Sequence, residues 1–328
     1  MELSARHLSW PLAGTFAISR GAKTTAEVVV AEIRFDGALG RAECTPYPRY
    51  DETVESVIGE LERAGKALAG QGPEAAHTMT ASLLPAGAAR NALDCALWDL
   101  RSKLSGQSVA SLVGEPSPGP VQSVYTLSLD TPEAMGEAAR ARAHLPRMKL
   151  KLAGDGDLDR VAAVRENAPS STLIVDANEG WSVAQVEPFS AELGALGVDM
   201  IEQPLPAADD ALLAEVEHPV PLCADESCHT RSDLARLAGR YEFVNIKLDK
   251  AGGLTEALAL RDAARADGFK IMVGCMLASS LAMAPAVLVA QGAEVVDLDG
   301  PLWLARDWPD AMRYDVTLAY PAAPALWG

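Results

Sequence analysis

Met148-Lys149-Leu150-Lys151-Leu152 is the stretch whose reading decides the fold. Apolar and charged side chains alternate in it, as in a strand with one polar face. Short apolar runs that end in a charge follow downstream: Leu173-Ile174-Val175-Asp176, Met200-Ile201-Glu202, Leu222-Cys223-Ala224-Asp225 and Val244-Asn245-Ile246-Lys247. From Lys151 the closing charges are separated by 25, 26, 23 and 22 residues. That is what a strand, its loop and a returning helix consume. The spacing predicts a (β/α) barrel, in which strand ends converge on one pocket at the C-terminal face.

Strands are expected at Val121–Leu127, Arg147–Leu152, Leu173–Asp176, Met200–Glu202, Leu222–Asp225, Phe243–Lys247, Lys270–Val273 and Val295–Asp297. Helix-like segments between them include Leu158–Asn167, Val183–Leu196, Asp209–Glu217, Arg231–Leu237 and Leu254–Asp267. No barrel helix follows the eighth strand, so the α/β barrel is of a modified (β/α)7β type. The first hundred residues keep a different rhythm. A strand over Ala26–Phe35 turns at Asp36-Gly37 towards a second at Arg41–Cys44, and helices are expected over Thr53–Leu68, capped by Thr53, and Ala89–Leu104, stopped by Gly106. The expected organisation is an α+β capping domain at 1–117, a barrel at 118–304, and a tail at 305–328 that returns to the capping domain.

The chain has 328 residues and a formal charge of −17. Neither nucleic acid nor an anionic membrane is expected as a partner, since both reward clustered Lys and Arg. The apolar tract around Cys275–Ala290 is broken by Ser279, Ser280 and Pro285 and reads as a buried helix, not a membrane span. Five scattered cysteines without a Cys-x-x-Cys pair, and an N-terminus that breaks at Trp10-Pro11 without a secretion signal, lead to the expectation of a reducing cytoplasm. Whether the chain forms a homo-oligomer is left open. The five histidines share no phase with the strand ends, and Gly252-Gly253-Leu254 lacks the spacing of a dinucleotide loop.

Asp176, Glu202 and Asp225 end three neighbouring strands. Any one of them reads equally well as a solvated loop acid or a helix cap. Three in phase repel one another unless a cation lies between them, and all-oxygen ligation suits Mg²⁺, or Mn²⁺, rather than zinc. Lys151 and Lys247 end strands two and six, opposite one another in an eight-stranded ring. Two opposed bases around one carbon make a racemase or epimerase: one removes a proton, and the other returns one to the far face. Lys149 shares a face with Lys151 and is expected to disfavour charge on it. Asp297-Leu298-Asp299 places two carboxylates on one side after strand eight. They read equally as a receptor for a substrate ammonium group or as turn residues before Gly300-Pro301. Ser19-Arg20-Gly21-Ala22-Lys23 forms a basic island that could read a second substrate carboxylate.

With these motifs in place, the chain resembles the enolase superfamily, in its muconate lactonizing subgroup, and within it the dipeptide epimerases of the L-Ala-D/L-Glu type. The likeness is carried by Glu43-Cys44-Thr45-Pro46, Lys149-Leu150-Lys151, Asp176-Ala177-Asn178-Glu179-Gly180-Trp181, Glu202-Gln203-Pro204, Ala224-Asp225-Glu226-Ser227 and Asn245-Ile246-Lys247 leading to Lys250-Ala251-Gly252-Gly253. Enolase-superfamily sites use Lys or His bases with Mg²⁺ and an ene-diolate, and the resemblance implies the same chemistry. The resemblance implies Asp176, Glu202 and Asp225 as Mg²⁺ ligands and Lys151 and Lys247 as acid/base catalysts. It further implies that Asp297 and Asp299 bind a dipeptide's α-ammonium group, that Arg20 meets a glutamate side chain, and that Lys149, Thr126, Cys275 and Met276 serve substrate binding. The reaction implied is inversion at the C-terminal residue of L-Ala-D-Glu, in murein peptide metabolism. Ala278 stands where many relatives carry an acid, which leaves the side-chain preference of the adjoining subsite less defined. N-succinylamino acid racemisation, o-succinylbenzoate synthesis and muconate cycloisomerisation would use the same lysines and metal, but offer no ammonium group to Asp297 and Asp299. A Schiff-base aldolase would leave the three acids unexplained, and a metal-stabilised ligand-binding barrel is the non-enzymatic reading.

Overall fold

A computed structural model describes all 328 residues. The N-terminal part is an antiparallel meander of β1 (Glu2–Ile18), β2 (Gly21–Phe35) and β3 (Ala38–Cys44), backed by helices α1 (Val54–Ala67), α2 (Pro73–Leu83), α3 (Ala88–Ser105) and α4 (Val109–Val113). Asp36 and Gly37 both adopt positive φ, 48° and 79°, the backbone that a two-residue hairpin turn demands. Thr53 caps α1 by accepting from the Ser56 amide, and Gly106, at φ 70°, ends α3. Strand β1 runs through Trp10-Pro11, where the sequence suggested a break. It is the sheet's edge, so a proline there costs no ladder bond, and the chain absorbs it with a register shift between Pro11 and Phe16. Gly40 on β3 lets α3 approach closely: a Cβ there would lie 2.3 Å from the Ala96 carbonyl oxygen.

One strand is corrected. The segment expected as Val121–Leu127 is divided into β4 (Val121–Gln122) and β5 (Tyr125–Leu127). Only β5 joins the parallel sheet, whose further strands are β6 (Arg147–Lys151), β7 (Thr172–Asp176), β8 (Val198–Glu202), β9 (Leu222–Ala224), β10 (Phe243–Ile246), β11 (Lys270–Gly274) and β12 (Val295–Asp297), in sequence order. The ring closes where the Val124 amide donates to the Val296 carbonyl at 2.8 Å. Strand β4 instead pairs with β14 (Leu318–Ala319), which pairs with β13 (Tyr314–Asp315). Beyond them the chain end meets the N-terminal part: Trp327 Nε1 donates to the Cys95 carbonyl at 3.1 Å, and the Gly328 amide to Asp99 at 2.8 Å.

Between the strands lie α5 (Pro132–Arg140), α6 (Asp157–Asn167) and α7 (Val183–Ala195). The helices expected over Asp209–Glu217 and Arg231–Leu237 are corrected. The first is a 3-10 turn at Asp210–Glu215; the second is a 3-10 turn at Arg231–Asp233 followed by the single helical turn α8 (Leu234–Leu237). Pro206 on one side and Pro219 and Pro221 on the other bound the first segment, and a proline disfavours helical backbone in the residue before it.

Inside the barrel, Val124, Ile174, Met200, Cys223, Phe243, Met272 and Val295 form a separate apolar layer of seven buried side chains. Strand alternation returns each chain to the interior two residues later. The next layer towards the C-terminal mouth is therefore Thr126, Asp176, Glu202, Asp225, Asn245, Gly274 and Asp297. A dry floor thus supports a ring that is almost entirely polar.

Candidate active site

Lys149 pairs in register with Ile174, and Lys151 with Asp176. Lys149 therefore starts in the apolar layer, and its side chain rises into the acids. It is fully buried, with Nζ 2.6 Å from Glu202 Oε2, 2.8 Å from Asp297 Oδ2 and 3.1 Å from Asp176 Oδ2. Lys151 Nζ donates to Asp176 Oδ2 at 2.6 Å and Lys247 Nζ to Asp225 Oδ2 at 2.7 Å. Their strands, β6 and β10, are four places apart in a closed ring of eight, so the two ammonium groups face each other across the axis.

Charge follows from these contacts. Burial opposes ionisation of Asp225, yet Lys247 and Lys250 hold its carboxyl well below the usual carboxylate range; Lys151 and Lys149 do the same for Asp176. Glu202 is pushed up to about 7, by burial and then by the nearby Asp176. Burial likewise opposes charge on Lys149, but Asp297, Glu202 and Asp176 hold it well above its ordinary value. Lys149 is therefore a charged counter-ion to the acids.

A cavity of about 440 Å³ opens above this layer. Of the twelve residues picked from the sequence, nine line it: Arg20, Thr126, Lys151, Asp225, Lys247, Cys275, Met276, Asp297 and Asp299. Asp176, Glu202 and Lys149 lie beneath its wall. Asp299 accepts from the Thr126 amide at 2.6 Å and is pushed up to about 7 by burial and then by Asp297. Arg20 reaches the cavity with its donors engaged: Nη1 bonds the Asn178 carbonyl at 2.8 Å, and Nη2 bonds Glu226 at 2.7 Å and the Tyr47 hydroxyl at 3.0 Å. Lys23 lies on the same wall near the Tyr47 ring and makes no ion pair within 4 Å. Ala278 is fully buried and does not line the cavity.

Several supporting residues escaped sequence reasoning. Buried Gln203, at φ 36°, donates to Leu205 O, Ser227 Oγ and Tyr241 OH and accepts from the Asp225 and Ser227 amides, tying β8 to β9. Asn245 donates to Glu202 Oε1 at 2.8 Å, and Lys250 meets Asp225 Oδ1 at 2.6 Å. Both stood inside motifs quoted above, but nothing in their spacing separated them from their neighbours.

As they stand, no three acidic, His or Cys side chains converge as a ready coordination set; lysine ammonium groups occupy the space among the carboxylates. The donor chemistry nevertheless fits a hard divalent cation. Asp176, Glu202 and Asp225 are buried carboxylates on adjacent strands, and Glu202 Oε2 and Asp225 Oδ1 meet lysines off line, without a well-directed hydrogen bond. No helix is long and apolar enough to cross a membrane.

A polar mouth on a parallel barrel, with opposed lysines over buried acids and an antiparallel cap alongside, defines a class of proton-transfer enzymes. The chain belongs to the enolase superfamily: residues 133–314 match the enolase C-terminal domain-like family, and residues 1–114 the mandelate racemase / muconate lactonizing enzyme N-terminal domain. Among particular proteins, it is 47% identical to the L-Ala-D/L-Glu epimerase of Escherichia coli (strain K12), over 93% of this chain and 95% of that one. It is 46% identical to an N-acetyl-D-glutamate racemase of Pseudoalteromonas sp, over 92% and 94%. A solved enolase family member from Agrobacterium tumefaciens, with homology to dipeptide epimerases and with sodium and L-Ala-L-Glu bound, superimposes with a TM-score of 0.95 at 47% identity, covering 99% of both chains. A dipeptide epimerase from Cytophaga hutchinsonii, complexed with Mg and D-Ala-L-Val, does so with a TM-score of 0.91 at 25% identity, covering 99% of this chain and 95% of that one.

Proposed function

We propose that the protein is a Mg²⁺-dependent dipeptide epimerase that inverts the α-carbon of the C-terminal residue, with L-Ala-D-Glu and L-Ala-L-Glu as its substrate pair. The observation that carries the substrate class is the buried Asp297/Asp299 pair on the wall of the cavity that holds Lys151 and Lys247. Asp297 shares Lys149 with Asp176 and Glu202, and Asp299 makes no ion pair, so the pair suits an α-ammonium group and disfavours an acyl cap. Lys151 takes the α-proton from one face while Lys247 delivers one to the other, and the roles exchange for the opposite epimer. Each lysine must leave its carboxylate partner, Asp176 or Asp225, before its Nζ reaches the substrate. Asp176, Glu202 and Asp225 would hold the divalent cation, which would draw charge from the substrate carboxylate as the proton leaves. Lys23, a cation on the cavity wall with no ion pair within 4 Å, receives the glutamate side chain, while Arg20 fastens its loop to Glu226. In this reading residues 1–117 cap the barrel at 118–304, and the tail at 305–328 ties the two together.

Racemisation of an N-acylated glutamate is the second reading, favoured by the similarity to the Pseudoalteromonas enzyme. Incubation with Mg²⁺ in D₂O and L-Ala-L-Glu, with the glutamyl α-proton followed by NMR, separates the two. The expected result is loss of that signal with appearance of the D-Glu epimer. Exchange in N-acetylglutamate alone would overturn the dipeptide assignment.

A further inference from the structure

We propose that Lys250 is a positioning residue through which the capping domain fixes the carboxylates that hold the divalent cation. The inference rests on reading Asp176, Glu202 and Asp225 as the metal set.

Lys250 is 1% exposed and does not line the cavity, so it touches neither substrate nor a proton in flight. Its ammonium group bonds the Asp225 carbonyl, donates to the Asn245 carbonyl at 3.0 Å and meets Asp225 Oδ1 at 2.6 Å. Asn245 in turn donates to Glu202 Oε1 at 2.8 Å. Gly274 gives the amide of Asn245 its room, since a Cβ at that position would lie 2.6 Å from Asn245 Oδ1. One ammonium group therefore sets the ends of β9 and β10 and, by way of Asn245, the carboxylate of β8.

Lys250 rides on a single helical turn, α9 (Leu248–Ala251), between Lys247 and Gly252. One turn of helix has no stability of its own. The capping domain holds it: Arg90 on α3 donates to the Ala251 carbonyl at 2.6 Å and the Gly252 carbonyl at 3.2 Å. Asp249, on the same turn, accepts from the Thr45 amide at 3.0 Å and from Asn91 Nδ2 at 2.8 Å. The chain of contacts runs from α3 through α9 and Lys250 to two of the three acids.

A bystander and a positioning residue differ in the sign of one measurement. A lysine that merely sits 2.6 Å from a ligand oxygen opposes a second cation, so its removal would tighten metal binding. A lysine that orients the ligand weakens metal binding when removed, by about 10–100-fold for partners of this kind. The test is direct titration of the full-length protein with Mg²⁺ by calorimetry and with Mn²⁺ by electron paramagnetic resonance, without substrate, for the parent and Lys250→Met. Weakening of about 10-fold or more is expected; equal or tighter binding by a folded Lys250→Met protein overturns the proposal. Where that variant does not fold, Arg90→Met decides, because it keeps the ammonium group and frees the turn that carries it. Metal affinity several-fold weaker is expected there, and unchanged affinity overturns the proposal. If the parent binds neither ion, the metal reading itself falls, a result distinct from a parent that binds and variants that match it.

Discussion

Asp299 makes the binding of a dipeptide visible as protons. Its carboxyl stands at about 7 because it is buried and faces Asp297, so at pH 7 about half of the free protein carries a proton there. An ammonium group bound between the two acids lowers that value by about 1–3 units. At pH 7 about 0.1 of the peptide's α-amino group is neutral and takes up a proton to bind, so binding expels a net of about 0.3–0.4 proton. At pH 8.5 the free Asp299 is almost wholly ionised and releases almost nothing. The peptide's own α-amino group, with a pKa near 8, is by then mostly neutral and must be protonated to bind, so about 0.7–0.8 proton is taken up. Proton release at pH 7 should therefore turn into uptake at pH 8.5.

Calorimetric titration with an equilibrated mixture of the two epimers adds no heat from turnover. Performed in HEPES and in Tris at saturating Mg²⁺, so that Glu202 does not contribute, it reads both numbers from the dependence of enthalpy on buffer. Asp299→Asn should abolish the release at pH 7 and leave the uptake at pH 8.5. An N-acetylated glutamate brings no ammonium group, so its binding should show no change of sign. Enthalpies independent of buffer at both pH values would refute the placement of the ammonium group between Asp297 and Asp299.

Lys151→Ala and Lys247→Ala should each abolish epimerisation, and solvent-deuterium exchange followed by NMR should persist in at most one stereoisomer for each; near-parental turnover in either variant would sink the two-base scheme. Lys23→Leu should raise KM for L-Ala-L-Glu by about 10-fold or more, the worth of one charge-assisted contact, and leave a dipeptide with an uncharged second side chain unaffected; steady-state kinetics on the two substrates read the difference. Asp249, pushed up to about 7 by burial, is neutral in the folded chain at pH values where the unfolded chain has already lost that proton. Its raised value makes stability fall as pH climbs from about 4 to about 7 and stay level above that, with a ceiling of about 4 kcal/mol. Asp249→Asn should flatten that slope in urea denaturation, and an unchanged slope would show that Asp249 is ionised in the folded state.

How far a residue could be read from the sequence depended on whether strand periodicity places it. Lys151, Asp176, Glu202 and Asp225 sit at or just past strand ends, where one apolar run and one charge suffice, and the ring closure that sets Lys151 opposite Lys247 follows from the count of eight. Strand β1 was missed because a proline argues against a central strand, and only the sheet order reveals that this one is an edge. Gln203, Asn245 and Lys250 lie in the same motifs, yet their partners come from other strands, so no local pattern marks them. Lys149 is the instructive case. Period two puts it on the face of Lys151, but register pairs it with Ile174, one layer deeper, so the same alternation that set it beside Lys151 buries it under the acids. A lysine four carbons long spans one such layer, and depth, which alternation does not encode, separates a lysine at the cavity wall from one buried beneath it.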